Sequence, residues 1–157
     1  MKCSIVLATR NKAEYLKHTL DSIFKQDPGF EFEVIVVDDG STDGTIEVVR
    51  SFDIQFFKLP DRGYRNPSAA RNVGYRAAVG DIVIAQSDEV VHGTSSTIFD
   101  LCNRLESGCF CIATVWNARR TSQGGYTRLQ QYTGVTYRRP FFFLGSLFRS
   151  DLYAVGG

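Results

Sequence analysis

Two adjacent carboxylates, Asp38 and Asp39, follow an apolar run at residues 33–37 and precede a turn of small polar residues. Such a run is typical of a strand covered on both faces, and ligands in open α/β sheets bind beyond the carboxyl ends of these strands. We therefore expect this strand to deliver its acids to a ligand. For an isolated Asp-Asp pair, a strand-to-helix turn with two solvated acids would be the better interpretation.

The turn after the acids is predicted to lead into a helix over residues 45–50. Gly40 lets the backbone turn tightly, because it has no Cβ. One of Ser41, Thr42 and Asp43 is expected to cap the helix, since short oxygen-bearing side chains accept the free N–H groups of a first helical turn.

The elements that must position these acids alternate along the chain. Strand-like runs fall at residues 4–8, 33–37, 54–57 and 82–85, with helical stretches between them. This alternation predicts parallel βαβ units and hence an α/β fold with a mostly parallel sheet flanked by helices.

Helix boundaries are predicted from capping residues and helical spacing. An apolar stripe ending at Phe24 predicts core positions on a first helix; its members are Ala13, Leu16, Leu20, Ile23 and Phe24. Asn66 as cap and Pro67 as first residue predict the start of another helix. A last helix is predicted over 94–106 and a strand over 110–115, and residues 116–137 are expected to form an irregular or antiparallel segment.

Three runs in this order and spacing resemble the nucleotide-binding half of family 2 glycosyltransferases. They are residues 3–11 (CSIVLATRN), 32–45 (the Asp-Asp strand and turn) and 69–74 (AARNVG). The resemblance extends from Met1 to the final segment, residues 145–157. It implies a GT-A fold, a single nucleotide-sugar-binding domain over residues 1–157, and the use of nucleotide-diphosphate sugars.

The resemblance also implies a set of nucleotide-binding residues. These are Ala8, Thr9, Arg10, Asp39, Arg71 and Asp88. Asp39 suits recognition of a base N–H, because a carboxylate only accepts hydrogen bonds and charged acceptors form the stronger ones. Asp38 could be purely structural. Arg71 alone would be interpreted as a solvated helix arginine, and its place in the AARNVG run reverses that interpretation.

The expected metal motif departs from that of many relatives, which carry Asp-x-Asp after the fourth strand. Here the residues are Gln86-Ser87-Asp88-Glu89, with Gln86 where the first acid often stands. Asp88 and Glu89 are expected to hold Mg²⁺ or Mn²⁺ together with the donor diphosphate, because both ions prefer oxygen ligands. The alternative is two surface acids after a strand. A loop at residues 61–65, which carries two arginines, is a weaker candidate for phosphate contacts.

By resemblance, the catalytic base lies in a segment downstream of Gly156-Gly157, beyond the given sequence. Either the sequence is a fragment of a longer enzyme or catalysis is incomplete; the first is expected, and Asp151 is a poor substitute base. Aromatic residues could line an acceptor site, although core positions suit the phenylalanines equally. They are Trp116, Tyr126, Tyr132, Tyr137 and residues 141–143.

Composition narrows the class of protein. A chain of 157 residues with 43% hydrophobic and 22% charged residues suits one soluble globular domain. A net charge of +1 argues against nucleic-acid binding. No apolar run reaches the roughly 20 residues that span a bilayer, so a cytoplasmic location is expected. Peripheral association with a membrane stays an open alternative. The four cysteines have no framework spacing, so reduced thiols are expected and a zinc site is not.

The predicted function is transfer of a sugar, with inversion, from a nucleotide-diphosphate donor, expected to be UDP-based, to a glycan or lipid-linked acceptor. The alternative is a nucleotide-sugar-binding module without turnover. A dinucleotide oxidoreductase is disfavoured, because the turn after the first strand (residues 8–12) lacks G-x-G-x-x-G. The sugar, the acceptor and the oligomeric state do not follow from the sequence.

Overall fold

The computed structural model describes residues 1–106, 115–120 and 126–133. Its strands are β1 (Lys2–Thr9), β2 (Glu31–Asp38), β3 (Gln55–Lys58), β4 (Ile82–Ser87), β5 (Val115–Arg120) and β6 (Tyr126–Thr133). Its helices are α1 (Ala13–Ile23), α2 (Thr45–Val49), α3 (Pro67–Ala77) and α4 (Thr97–Asn103).

Strands β1 to β4 form one parallel sheet in the order β3-β2-β1-β4, so the predicted α/β fold with a mostly parallel sheet is confirmed. In the register, Thr9 lies opposite Asp38 on one side, and Ala8 lies opposite Ser87 on the other. The ends of β1, β2, β3 and β4 therefore meet along one line, which we call the carboxyl edge.

Hydrophobic side chains cover both faces of this sheet, which explains the unbroken apolar runs. One face packs against α1, α2 and α4 through a cluster that includes Ile5, Leu7, Leu16, Val36, Val49 and Ile98. The other face packs against α3 through Val6, Ala8, Ile35, Val37 and Ala70.

Helix α3 approaches β1 closely at Gly74. A Cβ added to Gly74 would lie 2.4 Å from Cγ1 of Val6. Only glycine allows this contact, so Gly74 sets the depth at which α3 packs on the sheet. The predicted start of α3 is also confirmed: Pro67 is its first residue, and Oδ1 of Asn66 accepts a hydrogen bond from the Ala69 N–H at 3.1 Å.

The predicted bounds of α4 and one predicted core position differ from the structure. Helix α4 ends at Asn103 and not at residue 106. Helix α4 begins at Thr97 and not at residue 94, because the carbonyl groups of Thr94 and Ser95 accept hydrogen bonds from Gln26 and from the Asp27 N–H. Phe24 is not a core residue: it follows α1, is 40% exposed, and stacks on Phe52 with 5.5 Å between ring centroids.

Strands β5 and β6 pair antiparallel, which agrees with the antiparallel alternative for this segment. Several predictions concern residues outside the described ranges. They are the strand at residues 110–114, the aromatic candidates at 137 and 141–143, Asp151, the segment 145–157, Cys109 and Cys111. Cys3 and Cys102 are buried and free in the structure. Each helix in the described part of the chain is too short or too polar to cross a membrane.

Candidate functional site

The carboxyl edge holds buried polar atoms that have no hydrogen-bond partner among the described residues. They are Thr9 Oγ1, Asp38 Oδ2 and Asp88 Oδ2, at or just after the ends of three adjacent strands. Asp88 follows Ser87, so the central strand β1 has one acid on each side. Because buried polar groups are normally satisfied, these oxygens indicate a place for a ligand, an ion or water.

Asp38 closes the turn after β2. Its Oδ1 accepts hydrogen bonds from the Ser41 N–H, at 2.9 Å, and from the Ser41 hydroxyl. The Ser41 hydroxyl oxygen also accepts the Asn11 N–H at 2.9 Å. Asn11 has a φ of 52°, a left-handed conformation that asparagine tolerates, and its Oδ1 accepts the Thr42 N–H at 2.8 Å. Asp38 thus helps to join the loops after β1 and β2, which supports a structural role for it.

Asp43 holds the first residues of two helices. Its Oδ2 accepts the Ala13 N–H at 3.0 Å, and its Oδ1 accepts the Thr45 N–H at 3.1 Å. The cap position of α2 is Gly44, so none of the three predicted caps occupies it; Asp43, one residue earlier, supplies the side-chain acceptor for the Thr45 N–H. Partial burial would by itself raise the pKa of Asp43, but the hydrogen bonds from the Thr45 hydroxyl and these N–H groups lower it below its ordinary value.

Asp39 is 3% exposed and joins three parts of the carboxyl edge. Its N–H donates to the carbonyl of Thr9 at 2.9 Å. Its Oδ2 accepts the N–H of Asn66, the residue that caps α3, at 2.6 Å. Asp39 therefore ties together the end of β1, the end of β2 and the start of the helix that carries Arg71.

Arg71 lies in the second turn of α3 and is 9% exposed. Helix α3 begins at the carboxyl edge, so Arg71 is near the same edge as Thr9 and Asp39. A guanidinium buried to this extent is costly unless acceptors surround it. The interpretation as a solvated surface arginine is therefore wrong.

Arg10 extends from the end of β1 to the loop at residues 59–66. Its Nη2 lies 2.8 Å from Asp61 Oδ1, and its Nη1 donates to the carbonyl of Tyr64 at 2.6 Å. Arg10 therefore uses both terminal nitrogens of its guanidinium to hold a neighbouring loop.

The acids after β4 differ in their surroundings. Asp88 is 1% exposed, and its backbone carbonyl accepts the Thr19 hydroxyl from α1 at 3.0 Å. The Glu89 side chain is 48% exposed and forms an ion pair with Lys12, the residue before α1. In the described ranges, no three acids, histidines or cysteines form a group that could hold a metal ion. The buried, unpartnered Oδ2 of Asp88 nevertheless suits a cation that takes its other ligands from a diphosphate.

Gln86 explains the departure at the expected metal motif. Its Nε2 donates to the carbonyl of Val90 at 3.1 Å, and its Oε1 lies 2.9 Å from Nε2 of His92. A carboxamide can donate and accept at once, whereas a carboxylate could not donate to Val90. Gln86 therefore shapes the turn that carries Asp88. Burial lowers the pKa of His92 to about 4, so the ring is neutral and its Nε2–H donates to Gln86.

The structure brings Ala8, Thr9, Arg10, Asp39, Arg71 and Asp88 to one edge of the sheet, and Glu89 lies beside them. Sequence reasoning missed the joining roles of Asn11, Asp43 and His92. For Asn11 a signal was available, since asparagine is enriched at left-handed positions next to turns. For His92 there was none, because its partner Gln86 is identified only by the fold.

The sequence profile of the family described as "Glycosyl transferase family 2" matches residues 4–155. The poly(ribitol-phosphate) β-N-acetylglucosaminyltransferase TarS of Staphylococcus aureus is 36% identical over 98 residues, which cover 59% of this chain and 17% of TarS. The chain thus spans about a sixth of the length of this relative.

Two solved structures are similar in fold and sequence. TarS residues 1–349 in complex with UDP-GlcNAc superimpose with a TM-score of 0.64 at 31% identity, covering 73% of this chain and 35% of the other. The mannosyltransferase PcManGT from Pyrobaculum calidifontis, in complex with GDP-Man and Mn²⁺, gives a TM-score of 0.63 at 27% identity with the same coverage.

Proposed function

Because the chain belongs to glycosyl transferase family 2, we propose that it binds a nucleotide-diphosphate sugar at the carboxyl edge and takes part in transferring the sugar to an acceptor. The observation that carries this proposal is the arrangement around Asp39, which joins Thr9 to the start of the helix that bears Arg71. A buried carboxylate and a buried guanidinium at one edge suit a ligand with base N–H donors and an anionic diphosphate.

UDP is the proposed nucleotide. Support comes from the UDP-GlcNAc complex of TarS, which is 31% identical in the superimposed region. GDP is the main competitor, because PcManGT was solved with GDP-Man. Uracil N3–H would donate to Asp39, and Thr9 and Arg71 would flank the ribose and phosphates.

A divalent cation is proposed at Asp88, with Glu89 nearby. The support is the unpartnered Asp88 Oδ2 together with the Mn²⁺ in the PcManGT complex. When bound, the cation would stabilise the departing diphosphate as a Lewis acid. Thr19 and the Gln86 side chain hold the backbone of this turn, so Asp88 is presented by a rigid support.

The proposal has three further parts: inversion at the transferred sugar, a glycan or lipid-linked acceptor, and a catalytic base downstream of Gly157. They rest on the family resemblance. The expected cytoplasmic location also stays a prediction, and fractionation of the native cells checks it.

The test begins with calorimetric titration of the protein with UDP, GDP and ADP, with and without Mn²⁺. We expect a preference for UDP that is strengthened by Mn²⁺. Hydrolysis and transfer assays with UDP-sugars then follow. Binding without turnover would favour the alternative of a nucleotide-sugar-binding module, and absence of nucleotide binding would contradict the proposed function.

A further inference from the structure

The loop at residues 59–66, which we call the arginine loop, is attached to the carboxyl edge at both ends. At its start, the Leu59 N–H donates to the carbonyl of Asp38 at 2.8 Å. At its end, the Asn66 N–H donates to Asp39 Oδ2 at 2.6 Å. Both attachments come from the two acids at the end of β2.

The middle of the arginine loop is attached through Asp61. Its Oδ1 accepts the Gly63 N–H at 2.9 Å and lies 2.8 Å from Nη2 of Arg10. A Cβ added to Gly40, which has a φ of +81°, would lie 2.7 Å from the Asp61 Cα. The loop therefore rests directly on the turn after β2.

Arg10 is the side chain that spans this contact. Its side chain is only 15% exposed, and its two terminal nitrogens reach Asp61 and the carbonyl of Tyr64. A guanidinium with these contacts is held in a fixed orientation, because its planar fork binds two acceptors at once. The side chains of Arg62, Tyr64 and Arg65 remain exposed on the loop that it fixes.

We infer that Arg10 is a positioning residue that acts on donor binding through Asp61, by holding the arginine loop as one wall of the nucleotide site. This inference rests on the proposed function, and it differs from direct contact between Arg10 and the nucleotide. In this arrangement, loss of Asp61 and loss of Arg10 have the same consequence: the middle of the loop detaches, although its two ends stay bonded to Asp38 and Asp39, and its arginines leave the diphosphate.

A double-mutant cycle separates the two roles. The variants are Arg10→Ala, Asp61→Ala and the double variant, with UDP affinity measured by calorimetry. Hydrogen–deuterium exchange of peptides covering residues 60–66 reports on the loop without any nucleotide. Lys17→Ala with Asp21→Ala is the matched control, because this exposed pair on α1 also has an N–O distance of 2.8 Å.

We expect each single variant to weaken UDP binding about tenfold, as for loss of one charge-assisted interaction, and the double variant to bind at most about twofold weaker than either. Exchange in the loop should rise in all three, and the control pair should change neither readout. The inference would be overturned if the two losses of UDP affinity multiplied in the double variant, or if hydrogen–deuterium exchange in the loop were unchanged in Arg10→Ala. A parent protein that binds no nucleotide would instead reject the proposed function, while the exchange data would still decide whether Arg10 holds the loop.

Discussion

The carboxylate of Asp39 accepts a hydrogen bond from the backbone N–H of Asn66 at 2.6 Å, although the two residues are 27 positions apart. Asn66 in turn caps α3 through the Ala69 N–H. One oxygen of Asp39, Oδ2, is thus committed to the protein, and Oδ1 is the oxygen that we propose for the base N–H. The pair links the end of β2 to the placement of the helix that carries Arg71.

Substitution Asp39→Asn should weaken UDP binding while the fold is kept. The amide oxygen of the new side chain would still accept the Asn66 N–H, but its NH₂ group cannot accept a base N–H. The expected cost is about 1.5–3 kcal/mol of binding free energy, measured by calorimetry. Thermal melting should stay close to that of the parent. The exposed Asp53→Asn is the control, and equal UDP affinity in Asp39→Asn and the parent would rule out base recognition by Asp39.

Metal and donor binding should be coupled through Asp88. Mn²⁺ should bind weakly alone, since the described chain offers few ligands, and should tighten UDP binding by supplying a bridge to the diphosphate. By reciprocity, UDP must tighten Mn²⁺ binding by the same factor. Asp88→Asn should abolish the coupling in paired titrations with and without Mn²⁺.

The matched variant at this site is Glu89→Gln. Because Glu89 pairs with Lys12, we expect it to reduce the coupling less than Asp88→Asn does. If Glu89→Gln removes the coupling and Asp88→Asn retains it, the metal ligand must be reassigned to Glu89.

Stability should fall between pH 6.5 and pH 4 because of His92. Burial lowers its pKa from 6.5 to about 4, so in this range the unfolded chain binds a proton that the folded chain does not. Stability therefore rises with pH across this window, and below it both states are protonated. The loss on acidification is up to about 3 kcal/mol for a shift of this size.

Urea unfolding of the parent and of His92→Gln, at several pH values, checks the role of His92. The variant should be less stable near pH 7. Its stability should also depend less on pH above about pH 4.5, where ordinary aspartate and glutamate side chains are already ionised and contribute little to the slope. Asp43 acts at lower pH, since its lowered pKa stabilises the fold where it is ionised and this stability is lost as the pH falls through the folded pKa. An unchanged slope in His92→Gln would show that another group titrates.

Substitution Gly74→Ala should destabilise the protein by about 1–3 kcal/mol, as overpacking of a core does. The new methyl group would lie 2.4 Å from Val6 Cγ1, so α3 must move away from β1. Adding Val6→Ala removes the clashing atom, and the double variant should therefore lose less stability than the two single losses together. Additive losses in urea unfolding would mean that α3 adjusts without this contact.

Much of the fold was predictable from local signals. The apolar runs before Thr9, Asp38 and Ser87 predicted buried parallel strands, because a strand covered on both faces needs consecutive apolar residues. Asn66-Pro67 predicted the start of α3, because capping and the fixed φ of proline depend on neighbouring residues. The start of α4 was predicted three residues too early, since the carbonyl of Thr94 is taken by Gln26, which is 68 positions away.

Residue types in short runs were enough to establish the type of sheet, the acids at its carboxyl edge and the family resemblance. The way in which Arg10, Asp39 and Gln86 use their hydrogen bonds became clear only from the folded chain. Arg10 and Asp39 bind groups 51 and 27 positions away, at Asp61 and Asn66, and Gln86 binds His92 across the turn that follows β4. A hydrogen bond depends on distance and direction between two groups, and no spacing along the chain encodes either when a strand or a long loop intervenes.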